Sequence, residues 1–210
     1  MTGMPAAIRL LRRNISTPIG ELLAGAVAPG DGPNEPGGVC LLEIGHADRR
    51  GREMAELEEH FSARFEDDDS CGLLDELESQ LAAYFEGTRT DFDLPLCTPG
   101  TRFQHDVWNA MRKIPMGGTV TYGELAKTIG KESTAARAVG AASGRNRVSI
   151  VIPCHRVVDL GYNPGEGGTA GLCGYGGGLE NKLYLLEHER RVIGGPGLFE
   201  SMLAGPRGGE

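Results

Sequence analysis

The 210-residue sequence has no apolar run long enough to cross a bilayer as a helix, so a helical membrane span is excluded. Arg9, Arg12 and Arg13 lead into no continuous apolar stretch, and no secretory leader is expected. The five cysteines, at 40, 71, 97, 154 and 173, are odd in number and include no CxxC pair. A disulfide framework and a zinc knuckle are therefore disfavoured, and a reducing, intracellular compartment fits better: the cytoplasm, or the nucleus in a eukaryote. Basic residues are scarce early on. Residues 1–100 carry 8 Lys+Arg against 19 Asp+Glu, a net of −11, whereas residues 101–158 carry 9 against 3, a net of +6. An acidic protein with one basic stretch suggests a local anion-binding face, although a solvated basic surface with no partner has the same composition.

With 40% hydrophobic and 24% charged residues, the chain is that of an ordinary globular protein, long enough for one large domain or two small ones. Residues 8–27 read as extended structure broken at Ile19-Gly20. Residues 29–38, rich in Gly, Pro, Asp and Asn, read as a loop, and Val39–Ile44 as a strand that forms a hairpin across it. Glu53–Phe65 is expected to be a charged helix. A turn follows at Asp67–Asp69, and then a helix carrying Leu74, Leu77, Leu81 and Phe85. Leu94–Gly100, with Pro95 and Pro99, is the expected linker. Beyond it, Phe103, Val107, Ala110, Met111 and Ile114 share one helical face. Thr121-Tyr-Gly-Glu124 fits a capping box, Gly130 closes that helix, and Ser133 is the expected N-cap of the next, through Ala135, Ala136, Arg137 and Val139. Two capped helices joined by a tight turn make a helix-turn-helix candidate, and the basic stretch covers the same segment.

The segment Val151-Ile-Pro-Cys-His-Arg-Val-Val158 reads as a buried strand, yet it holds a thiol, an imidazole and a guanidinium side by side. Proline cannot continue a central ladder, so Cys154 is expected at a strand end or bend. A cysteine becomes nucleophilic when its thiolate is favoured by a neighbouring imidazole or cation. On an extended strand His155 points away from Cys154, so contact needs a bend or a bridging water. Burying His155 and Arg156 unpaired would be costly. Glu189, in a helix with Leu179, Leu183 and Leu186 as its expected apolar face, is the candidate to orient the imidazole. No partner for Arg156 beyond a buried carboxylate or carbonyls can be named.

Pro153-Cys-His-Arg-Val-Val158, preceded by Ala135-Ala-Arg-Ala-Val-Gly140 and Asn146 and followed by Gly174-Tyr-Gly-Gly-Gly-Leu179 and Leu185-Leu-Glu-His-Glu189, resembles the O6-alkylguanine-DNA alkyltransferases. The resemblance is dense from Thr101 to Arg190 and weaker from Ser16 to Leu96. It implies an α/β (α+β) fold: an N-terminal mixed sheet-and-helix domain (1–95), a C-terminal winged helix-turn-helix-like alkyltransferase domain (96–193) and a disordered tail (194–210).

The same resemblance implies that Cys154 accepts an alkyl group from O6 of guanine. His155, held by Glu189, would act through a water, and Asn146 would order the turn. Tyr122 would press on the target phosphate and protonate the leaving guanine at N3. Arg137 would fill the space left by a flipped nucleotide, in a helix whose Ser133, Ala135, Ala136 and Gly140 face the DNA minor groove. Val157, Tyr175, Gly176 and Gly177 would line the base pocket. The implied partner is double-stranded DNA containing O6-alkylguanine, met by a monomer without a membrane, and no cofactor is implied. The N-terminal half has no His/Cys set with zinc-ligand spacing, so no metal is expected. Alkylation leaves a thioether, so each molecule acts once. The loop 159–173 is longer and richer in glycine than the family's, and Cys173 is an addition near the pocket. Two other readings stay open at this point: a non-catalytic lesion-binding module, which Cys154 speaks against, and a thiol hydrolase, which the basic stretch speaks against.

Overall fold

The computed structural model describes residues 8–28, 37–45, 47–163 and 169–194. The chain divides into two compact units, one of residues up to Thr101 plus Arg147–Val151, the other of Arg102–Asn146 and the residues from Ile152 onward. The expected 194–210 tail lies, apart from Gly194, outside the described residues, as does most of the 29–38 loop.

The first unit is a four-stranded sheet in the order β3-β2-β1-β4, from β1 (Leu10–Thr17), β2 (Gly20–Val27), β3 (Gly38–Glu43) and β4 (Phe65–Asp67). β1 and β2 form a tight antiparallel hairpin that pairs Thr17 with Gly20, whose φ of +105° suits glycine at the turn. β3 runs antiparallel to β2, the hairpin expected across the loop. The charged helix is α1 (Ala47–Phe61), so it starts earlier than its charge pattern suggested and stops short of Phe65. Phe65 instead opens β4, parallel to β1, with its ring against Gly25, where an added Cβ would stand 2.9 Å from it. A three-residue strand pairing by main chain is too short to leave a periodic signal. Leu74, Leu77 and Leu81 are buried on α2 (Gly72–Phe85) as expected.

β3 is buried along its length, and two short bridges cover its outer edge. On one, the Val39 amide donates to the Pro95 carbonyl (2.9 Å) and the Cys97 amide to the Val39 carbonyl (3.0 Å). On the other, the Leu42 amide donates to the Arg147 carbonyl (2.7 Å) and the Ser149 amide to the Leu42 carbonyl (2.9 Å). Residues 147–151, which lead to the PCHR motif, are thus tied to a sheet edge that would otherwise be bare.

The second unit is helical: α3 (Arg102–Met111), α4 (Tyr122–Thr128), α5 (Ala136–Gly144) and α6 (Leu179–Val192), with β5 (Val120–Thr121) parallel to β6 (Val157–Val158). Val107, Trp108 and Met111 of α3 are buried, and the Trp108 indole donates to the Ala142 carbonyl of α5 at 3.0 Å. α4 begins at the predicted capping box: the Thr121 hydroxyl accepts from the Glu124 amide and the Glu124 carboxylate from the Thr121 amide. Gly130, at φ +72°, ends it. The N-cap expected at Ser133 is not formed. Ser133–Ala135 is a short 3₁₀ turn entered from Glu132, and its side chain makes no capping bond, because the helix proper starts only at Ala136. Among the described residues no helix is long and apolar enough to cross a membrane.

One carboxyl in the first unit is costly. Glu43 is fully buried at the end of β3; burial pushes its pKa up to about 7, although its bond from Arg49 Nε (2.9 Å) works the other way. The native state therefore binds more protons than the unfolded chain between the ordinary carboxyl value of 4.5 and about 7, and stability falls as pH rises through that window. Thermal unfolding across this range is expected to show the decline, and Glu43→Gln to flatten it.

Candidate active site

The segment read as a buried strand is a chain of tight turns. Ile150 has φ +70°, which a β-branched residue rarely adopts, and the Val151 amide donates across it to the Ser149 carbonyl at 2.9 Å. Pro153 then sits at φ −80°, ψ 64° with the Cys154 amide on the Ile152 carbonyl at 2.8 Å, an inverse γ-turn. Cys154–Arg156 is one turn of 3₁₀ helix, and only Val157–Val158 is strand. The expected alternation of side chains therefore does not hold. Successive residues of a 3₁₀ turn fan out around an axis, leaving Cys154 half-buried while His155 and Arg156 turn inward.

Asn146, at the end of α5, spans this bend. Its amide nitrogen donates to the Ile152 carbonyl at 2.8 Å and to the Cys154 sulfur at 3.2 Å. An amide N–H on sulfur favours the charged thiolate over the thiol.

α6 supplies the rest. Its expected face of Leu179, Leu183 and Leu186 is shifted round: Leu179 is exposed, and the buried set is Lys182, Leu185, Leu186, His188 and Glu189. The Glu189 carboxylate, fully buried, receives four groups. His155 Nε2 lies 2.7 Å from its Oε1, and Arg156 Nε reaches both oxygens at 3.1 and 3.0 Å. Arg156 Nη2 reaches Oε1 at 2.9 Å, and the Gly117 amide reaches Oε2 at 2.9 Å. Arg156 Nη1 ends on the Ile114 carbonyl at 2.6 Å. The partner that sequence could not name for Arg156 is thus the carboxylate that also holds His155.

Burial alone would push Glu189 up, but the hydrogen bonds from His155 and Arg156, with the charge of the guanidinium, outweigh it and hold the carboxyl well below its usual range. Burial pulls His155 down against the opposing pull of Glu189. The pair is therefore a carboxylate facing a neutral imidazole, with Arg156 as the counter-charge. Nε2 then carries the proton toward Glu189, and Nδ1, which is buried and has no hydrogen-bond partner among the described residues, presents its lone pair.

Lys182 was missed by sequence reading because a lysine in an amphipathic helix is ordinarily a surface residue. Here it is fully buried, and Nζ donates to the Val157 carbonyl at 2.7 Å and to the Leu172 carbonyl. Lys182 and Glu189 stand two turns apart on one face, so a single helix grips the PCHR turn at both ends. Burial lowers the Lys182 pKa, while Cys154 and Cys173 act in the opposite direction.

The helix-turn-helix residues line a groove of about 760 Å³ whose walls include Tyr122, Ser133, Ala136, Arg137 and Gly140, with Asp159 and Leu160 on its lip. Ala135, also expected to face DNA, is half-buried in the 3₁₀ turn and is not part of the wall. The Tyr122 ring lies along Gly140, where an added Cβ would stand 3.6 Å away. Burial, with Cys173, Cys154 and Asp159 adding to it, pushes the Tyr122 hydroxyl up to about 12, so the phenol keeps its proton. Arg137 is exposed.

Val157 is fully buried, whereas Tyr175 is half-buried and Gly176 exposed. Tyr175 and Gly177 belong to the turn that enters α6: the Gly178 amide bonds the Tyr175 carbonyl (3.0 Å), and the Gly177 carbonyl accepts from Asn181 (2.9 Å). The basic stretch is less free than its composition implied. Arg156 is consumed by Glu189, and Arg147 is paired with Glu53 and Glu56 in the first unit. Lys127 and Arg137 remain in the groove wall.

Comparison with known proteins gives a consistent picture. Residues 102–191 match the family model described as the DNA-binding domain of 6-O-methylguanine DNA methyltransferase. A methylated-DNA–protein-cysteine methyltransferase of Mycolicibacterium paratuberculosis is 50% identical over 112 residues, which span 53% of this chain and 62% of that protein. The protein of the same description from Salmonella typhimurium is 39% identical over 192 residues, covering 89% of this chain and 99% of its own. Among solved structures, an O6-methylguanine methyltransferase of Mycobacterium tuberculosis aligns with a TM-score of 0.63 at 36% identity, over 87% of this chain and 93% of that one. A structure of the M. tuberculosis protein in complex with DNA aligns with the same TM-score, over 87% and 94%.

Replacing Arg156 with methionine would leave the buried carboxylate without its guanidinium partner. Loss of one partner from such a pair is expected to cost about 3–5 kcal/mol, measurable by urea denaturation. A change below about 0.5 kcal/mol would mean that the guanidinium does not carry the charge of Glu189.

Proposed function

The chain belongs to the family of methylated-DNA–protein-cysteine methyltransferases, and on that footing we propose that it is a single-use DNA repair protein whose Cys154 takes the alkyl group from O6 of guanine. One observation carries the assignment: Cys154 is the half-buried thiol of a turn whose neighbours His155 and Arg156 are both locked onto Glu189, with the Asn146 amide on its sulfur. That is a thiol held for use, since a structural cysteine needs none of these partners.

The double-stranded DNA partner is met by the helix-turn-helix groove, which we read as approaching the minor groove, and the damaged guanine is drawn out of the stack because its O6 substituent cannot be attacked within the duplex. Arg137, exposed on the first turn of α5, fills the space the base leaves. The small residues Ala136 and Gly140 let the helix approach closely, with Ala135 and Ser133 in the turn before it. Val157 and the Tyr175–Gly177 turn form the base pocket, which Lys182 keeps against the acceptor by holding the Val157 and Leu172 carbonyls together.

In the transfer, His155 Nδ1 takes the Cys154 proton, through a bridging water, and Glu189 stabilises the imidazolium that forms. The sulfur attacks the alkyl carbon as the C–O6 bond breaks, and the electron pair of that bond passes to the guanine. Tyr122, whose phenol is protonated at ordinary pH, donates a proton to the guanine at N3. The product is a thioether, with no route back to thiol. The reading places the protein inside the cell with its DNA and acting as a monomer, and it needs neither cofactor nor metal for any step.

Incubation of the full chain with duplex DNA containing O6-methylguanine is expected to add one methyl group per molecule, found by mass spectrometry on the Cys154 peptide and absent from Cys154→Ser. A folded wild-type protein that keeps Cys154 unmodified under excess lesion would overturn the assignment, and turnover of an ester without DNA would point to a thiol hydrolase instead. Tyr122→Phe is expected to slow transfer about a hundredfold while the lesion is still bound. Arg137→Ala is expected to weaken binding of the lesion duplex more than reaction of the thiol with iodoacetamide.

A further inference from the structure

Leu160 is 88% exposed, more than any other large apolar side chain among the described residues. A lone surface leucine ordinarily needs no explanation. This one stands on the lip of the groove whose wall carries Tyr122 and Arg137, and the backbone beneath it is built to hold it there.

The Tyr162 amide donates to the Asp159 carbonyl at 3.0 Å, closing a turn with Leu160 at its second position. The Leu160 amide is itself bonded to the Asp159 carboxylate at 2.9 Å. Beneath the turn lies Gly171, at φ +71°, where an added Cβ would come within 2.1 Å of the Tyr162 nitrogen and 2.4 Å of the Gly161 carbonyl carbon. The two stretches of backbone are thus in direct contact, and the Asp159 amide bonds the Gly171 carbonyl at 2.7 Å. On either side, Tyr162 and Leu172 are packed into a small apolar cluster with Val158, Leu183 and Leu186. Tyr162 and Leu172 thus pack inward from the turn, whereas Leu160 is turned out.

The carboxylate beside it is held within the turn itself. The Asp159 carboxylate is bonded to the Leu160 amide and accepts from the Cys173 thiol. The same groove is also lined by the cations Lys127 and Arg137, with Glu124 engaged in its capping box.

We propose that Leu160 is an apolar wedge that packs on the sugars and bases of the DNA strand beside the extruded nucleotide, in the groove that Arg137 also lines. The proposal rests on reading the groove as the place where a base leaves the duplex. An apolar side chain placed against an opened base step gains by leaving water, and it offsets part of the cost of unstacking. Two elements lining one groove then share the work. Arg137 supplies charge and Leu160 supplies apolar surface.

The test compares the full-length wild type, Leu160→Ser and Leu160→Met on two probes: an O6-methylguanine duplex and the free base O6-benzylguanine, which has no strand to grip. Leu160→Ser is expected to slow transfer from the duplex about tenfold, the scale of one leucine taken out of water, and to leave the free-base rate unchanged. Leu160→Met is expected to stay within about twofold of wild type on both. The salt dependence of duplex binding is expected to be the same in all three, because no phosphate contact is removed. Equal duplex rates for wild type and Leu160→Ser, or an equal loss on the free base, would overturn the proposal. If the wild type alkylates Cys154 with neither probe, the acceptor assignment fails instead, and the duplex affinities by fluorescence anisotropy decide Leu160: equal values sink it.

Discussion

The second unit is organised around one buried carboxylate. Glu189 is reached by an imidazole, a guanidinium and a main-chain amide, and each ties a different piece of chain to α6. An unpaired carboxylate at that depth would neutralise itself or unfold its surroundings. The solution adopted here is to give it one permanent cation, Arg156, so that His155 need not be charged. This separates two tasks that adjacency in sequence seemed to merge. Arg156 sustains the carboxylate, and His155 is left neutral with one nitrogen held and the other available.

The chemistry of Cys154 follows from how the backbone arrives there. Two successive γ-turns and a 3₁₀ turn reverse the chain so sharply that the thiol is left near the surface while its two neighbours go inward. Ile150 bears a backbone conformation that its own side chain disfavours, and such strain persists only where surrounding bonds over-determine it. Those bonds are on either side of it: residues 147–149 on the edge of β3, and the Asn146 amide on the Ile152 carbonyl.

What was legible in the sequence was whatever has a local signature. The capping box at Thr121–Glu124, the stop at Gly130 and the leucine stripe of α2 could all be read, because each depends on residues within a turn of one another. The strand misreading of 151–158 has a physical cause: an apolar run with β-branched residues looks alike whether it pairs in a ladder or bends among buried neighbours. Lys182 was invisible for a related reason. Its burial depends on two carbonyls, 25 and 10 residues away in sequence, that no composition rule connects to it. The partner of Arg156 was also non-local, although the demand for one was evident from the cost of burying a guanidinium. The basic stretch was over-counted, since charge tallies do not distinguish a cation facing solvent from one already spent inside the fold.

Lys182 has a bearing on how this molecule tolerates change. Its ammonium joins the Val157 and Leu172 carbonyls, and just inside that clasp the Asp159 amide meets the Gly171 carbonyl. Asp159 and Gly171 are thus the two fixed posts of one gate. Closing a longer excursion through a gate already fastened costs little, since the entropy of closure grows only logarithmically with length. Residues can thus be added or removed there without shifting the Cys154 turn on one side or the Tyr175–Gly177 turn on the other. The glycine-rich length of this chain after Asp159 is a freedom granted by a single buried lysine.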